Sequence, residues 1–146
     1  MENSKKFKMP AGYRGLEQER VGVEKTGWYM HYVPSGDNTP FGANAHTHGW
    51  PENFNHPDIQ ICIPASMQIM HTIFWDIFND FIKKGIKLEP GKSYSNIIRN
   101  YEMRSVEAKE CGRTVIRLCA PDKHGEYTGE FAKQLTWLDN NKKENE

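Results

Sequence analysis

The sequence predicts an α+β domain in which an antiparallel or mixed sheet of about five or six strands carries one long helix packed on a face. Two observations lead there. One stretch after Ser66 repeats apolar residues at helical spacing, and segments of strand character lie on both sides of it. The 146 residues are enough for one domain whose core needs no disulfide or metal staple.

Residues 1–26 are polar, and Gly12, Gly15 and Gly22 interrupt any regular pattern. A short helix is expected over residues 16–23, behind a loose N-terminal tail. The domain proper is read over residues 27–139. Residues 28–33 are rich in aromatics and read as a strand, ended by Pro34, Ser35, Gly36, Asp37 and Asn38. Residues 41–48 form a second extended segment closed by Gly49, and residues 51–55 read as loop. Residues 58–63 form a short buried strand in which Ile59, Ile61 and Ile63 alternate before Pro64 stops it.

Ser66 then offers an N-cap for a helix over residues 67–84, with Gly85 as its stop. Met67, Met70, Phe74, Ile77, Phe78 and Phe81 recur at three- and four-residue steps, and Ile69, Ile73 and Ile82 widen the stripe. Such a stripe is packing surface rather than a cofactor box. Residues 101–108 and 113–119 follow as strands joined by a hairpin loop at residues 109–112. Residues 131–138 read as a last extended segment. Residues 140–146 carry no apolar side chain and are expected to be disordered.

Composition removes several functional classes. Nineteen basic residues balance nineteen acidic ones, so no basic excess points to nucleic acid or an anionic membrane. No apolar run approaches the roughly eighteen residues of a membrane span, and the N-terminal lysines have no apolar stretch behind them. The three cysteines are odd in number and form no C-x-x-C pair, which fits a reducing compartment, so a cytoplasmic location is expected. Gly-rich phosphate loops are missing. The seven Phe, four Trp and six Tyr exceed what a core of this size requires, which points to a pocket or partner surface.

The chemistry concentrates between His46 and Asp58. On a strand, His46 and His48 share a face about 6.5–7 Å apart along the chain, a spacing that holds one zinc or a similar divalent ion. His56, a loop away, offers a third nitrogen, and Asp58 an oxygen that serves as a fourth ligand or as the base that orients a water. Three ligands and an open position are the arrangement of a hydrolytic metal. The plain alternative is that these histidines satisfy hydrogen bonds at a strand end. Further along, Arg113 and Arg117 share a strand face. They read either as a clamp for a phosphate or carboxylate or as solvated cross-strand partners of Glu102 and Glu107.

Several short motifs fall in a recognisable order: Gly27-Trp28, then Thr47 and Gly49, then His56-Pro57-Asp58-Ile59, then Pro90-Gly91, and finally Gln134, Trp137 and Asp139. In that order the chain resembles the bacterial domain-of-unknown-function family 4262. The resemblance spans about residues 27–139 and implies no established activity. The chain departs from the family pattern at His46 and His48, where tyrosine and an aliphatic residue are usual, and at Asp58, which replaces glutamate. A looser likeness to suppressor-of-fused type immunity domains implies a binding role.

Two functions are therefore expected. One is a non-catalytic, immunity-like interaction domain whose loop over residues 40–54, with Trp50 and Phe54, contacts an unidentified protein partner. The other is a small metal-dependent hydrolase in which His46, His48 and His56 hold the ion and Arg113 and Arg117 hold a small anionic substrate.

Overall fold

The computed structural model describes residues 6–36, 39 and 41–137. It has six strands in one mixed sheet: β1 (Tyr29–Val33), β2 (Ala43–His48), β3 (Ile59–Ile63), β4 (Ser93–Ile98), β5 (Tyr101–Glu110) and β6 (Arg113–Cys119). Their order is β1-β2-β3-β6-β5-β4, and only β3 and β6 pair in parallel. The helices are α1 (Glu17–Thr26), α2 (Trp50–Phe54), α3 (Met67–Ile77) and α4 (Lys133–Thr136). The α+β class, the mixed sheet and the long helix agree with the sequence.

The long helix starts where its cap allows. Ser66 is extended (φ −71°, ψ 164°) and its side chain accepts from Ile69 N–H, satisfying a donor that the first turn leaves open. After Ile77 the hydrogen bonding widens into a π-helical segment, Phe78–Ile82, and the chain leaves at Gly85, whose φ is +75°. Met70, Phe74, Ile77, Phe78, Phe81 and Ile82 turn inward. They meet Ala43, Ala45, Ile59, Ile61, Met103, Ile116 and Leu118 from the sheet. Met67 and Ile69 depart from the expected stripe and stand 57% and 55% exposed.

Alternation along the strands gives the other face a different chemistry. Its register brings Tyr29 opposite His48, His31 opposite His46, His46 opposite Gln60, Gln60 beside Arg117, and Glu110 opposite Arg113. Polar groups dominate this face, and the chain covers them itself. Ala11 reaches His48, and the turn Gly129–Ala132 with α4 brings Gln134 and Trp137 onto Arg117.

Four local expectations are corrected. Residues 51–55 lie largely in α2, because Pro51 in the first turn favours a helix start. Residues 131–136 are helical rather than extended: buried Gln134 pairs its amide with the N–H and carbonyl of Ala120, which fixes a turn there. β4 is an additional strand. The hairpin at residues 109–112 closes on two residues, Cys111 (φ +51°) and Gly112 (φ +87°), the left-handed pair of a type I′ turn. Leu138, Asp139 and the tail at 140–146 lie outside the described residues, as do Asp37, Asn38 and Pro40. Residues 6–16 are tied down by Lys8 N–H to Asn53 Oδ1, Ala11 N–H to Glu52 and Phe7 against Phe54.

Candidate metal centre

The β1–β2 hairpin supplies three imidazoles. His31, His46 and His48 each offer a ring nitrogen within 4.8 Å of the others. Register places His31 on β1 directly across from His46, and period two places His48 on the same face. Gly49 (φ +118°) then turns the chain sharply. A Cβ there would lie 2.5 Å from Gly27 O, so only glycine lets β2 end against the start of β1. His46 is fully buried, His48 nearly so, and His31 is half-buried.

The partners of these rings determine which nitrogen carries the proton. Arg117 has only donors, and its Nε–H donates to Gln60 Oε1 at 2.6 Å. Gln60 therefore turns its Nε2 toward Asn44 Oδ1, 3.1 Å away. His46 Nδ1 lies 3.2 Å from the same Asn44 oxygen and must donate to it. His48 Nδ1 faces the Ala11 carbonyl at 3.3 Å and carries its proton for the same reason. His46 Nε2 then presents its lone pair 3.2 Å from His31 Nδ1 and 3.4 Å from the buried Glu110 Oε2. The 3.2 Å spacing matches the edge of a tetrahedron whose bonds are about 2.0–2.1 Å, roughly 3.3–3.4 Å.

Arg113 ties this centre to the end of β3. Its Nε donates to Glu110 Oε1 at 2.6 Å, one terminal nitrogen contacts Asp58 Oδ2 at 2.5 Å, and the other donates to Thr47 O at 2.7 Å. Asp58 also accepts from Thr47 Oγ1 and from Trp50 N–H. Burial outweighs these contacts and pushes its carboxyl up to about 6. Burial works against the Arg113 charge as well, but Asp58 and Glu110 more than offset it and raise its pKa.

The expected site residues separate accordingly. His46 and His48 stand together, with Glu110 beside them, and Arg113 and Arg117 lie on the same sheet face. His56 is elsewhere. Its Nδ1 donates to Pro57 O at 2.7 Å and its Nε2 accepts from Leu88 N–H at 3.0 Å, so both nitrogens are occupied, and burial lowers its pKa. His31 takes the third place. Asp58 reaches the histidines only through Arg113 and Glu110. The arginines are not a clamp: Arg113 is committed to Asp58, Glu110 and Thr47. Arg117, 1% exposed, is committed to Gln60, Gln134 O and Trp137 O. Trp50 is fully buried among the rings of Trp28 and Phe78 and offers no contact surface, whereas Phe54 packs on Phe78 and stays partly exposed.

Sequence reasoning missed His31 and Glu110. His31 lay in an expected strand, but only the register of β1 on β2 brings it to His46.

Residues 22–143 match the family model described as a domain of unknown function (DUF4262). The chain belongs to the DUF4262 family. No curated protein and no solved structure matches it. The family match covers all six strands of this DUF4262 domain, and with them every residue of the centre. No helix among the described residues is long and apolar enough to cross a membrane.

Proposed function

We propose that this DUF4262 domain is a small metal-dependent hydrolase whose divalent ion, zinc or one similar, is held by His31, His46 and His48. The convergence of three ring nitrogens within 4.8 Å carries this reading. Two of these rings commit their Nδ1–H to protein oxygens, and that outer contact is what orients a metal-bound imidazole. A divalent ion on three neutral imidazoles keeps a position for water and lowers that water's pKa to about 7. Glu110 Oε2 lies 3.4 Å from His46 Nε2 and would be the nearby carboxylate able to accept a proton from such a water, with Arg113 holding its other oxygen.

An interaction-domain role would need a surface other than the loop over residues 40–54, whose Trp50 belongs to the core.

The test is elemental analysis of protein purified without a histidine tag, beside His46→Ala and His31→Ala. The expected result is about one zinc, manganese or iron per chain in the wild type and its loss in both variants, with turnover of simple esters following the metal. Equal metal content in all three proteins would remove the centre. His56→Ala serves as control and should keep the ion.

A further inference from the structure

β1 is an edge strand, and a cavity of about 510 Å³ runs beside it between α1 and α3. The wall has two chemistries. Tyr32, Met67 and Trp75 give it an apolar, partly aromatic side, and Met67 keeps 57% of its surface exposed there.

The polar side carries Arg14, Lys25, Thr26 and His31. The indole N–H of Trp28 and the hydroxyl of Tyr29 belong to wall residues only 2% and 8% exposed, and neither has a hydrogen-bond partner among the described residues. Both atoms are closed off from solvent, so they belong to the frame behind the cavity rather than to its open wall. The one carboxylate in the wall, Glu19, is already held by Arg14 through Nε at 2.8 Å. Lys25 has no carboxylate partner among the described residues. The cavity wall thus carries a lysine without a carboxylate partner among the described residues, beside an apolar surface, and His31 contributes to the same wall.

We infer that this cleft binds a small organic anion with an aromatic body, of the aryl carboxylate class, with its anionic group turned toward His31. The orientation rests on the metal reading above, whereas the cleft itself does not. The body would lie between Trp75 and Met67, and the anion would meet the cationic side chain of Lys25 and the edge of β1 at His31. A pocket of this volume suits a ligand of that size.

The experiment titrates the full chain, zinc-loaded and zinc-stripped, with phenylacetate and with phenylacetohydroxamate, followed by tryptophan fluorescence from Trp28 and Trp75. Saturable binding of phenylacetate in both forms is expected, as is a gain of about tenfold for the hydroxamate only in the zinc-loaded protein. Met67→Glu places a negative charge at the exposed rim and should weaken both probes by about tenfold or more, with an unchanged unfolding midpoint. Trp75→Leu provides a second, apolar test of the wall. No saturable signal, or equal binding in Met67→Glu and Trp75→Leu, overturns the cleft. A hydroxamate that gains nothing from zinc overturns the orientation toward His31. Zinc binding without probe binding sinks the cleft and spares the metal centre, and probe binding by a protein that takes up no zinc does the reverse.

Discussion

At the scale of single residues, Asn44 does more than its size suggests. Its carbonyl oxygen receives Gln60 and His46 together and so fixes which His46 nitrogen faces His31. Asn44→Leu should lower zinc affinity by about 10–100-fold. Asn44→Asp, which keeps the acceptor, should restore most of it, as measured by competition with a chromogenic chelator. If both substitutions behave alike, the contact matters for packing alone. Asp58 makes a second prediction. Its folded-state value of about 6 lies above the ordinary 3.8, so the folded protein holds this proton more tightly than the unfolded chain. The contribution of Asp58 to stability should therefore be largest below about pH 4, decline as pH rises to about 6, and be flat beyond. Urea midpoints across that range should lose this slope in Asp58→Asn. The same burial that raises Asp58 pushes the Cys119 thiol up to about 12, so this cysteine stays protonated and unreactive at neutral pH.

At the scale of elements, α3 and α2 do different work. α3 is held by its apolar face and by Ser66. Removing the cap oxygen in Ser66→Ala should cost about 1 kcal/mol, visible as a melting point lowered by a few degrees. In α2, Trp50 fills the centre of an aromatic stack, and Trp50→Ala should cost about 3–5 kcal/mol in chemical denaturation. A loss under 1 kcal/mol there would contradict the burial described. The sequence disclosed these elements unevenly. The α3 stripe was legible because period 3.6 sustained over several turns has no strand reading. β4 was not, since Ser93, Ser95 and Asn96 are exposed on an edge and give no alternation. α4 spans only four residues, too few for any period, and it depends on Gln134 bonding to Ala120, a long-range contact.

At the scale of the whole molecule, the sheet divides its labour by face, apolar toward α3 and polar on the other side. Period two made the shared face of His46 and His48 readable from the sequence. The third ring and Glu110 depend on registers between strands, which no local spacing encodes. If the centre binds metal only when folded, zinc at about 100 times its dissociation constant should stabilise the protein by about 2.7 kcal/mol, and a thermal melt with and without zinc reads this directly. His46→Ala should abolish the shift. The position of the ligands along the chain also has a kinetic side. All three imidazoles come from β1 and β2, neighbours in sequence, whereas the sheet closes only when β3 finds β6 across the 49 residues from Pro64 to Gly112. Local contacts form before distant ones, because closing a long loop costs more entropy. The hairpin that carries the three rings can therefore form while the parallel pairing is still absent, so the site assembles early and the rest of the sheet closes around it.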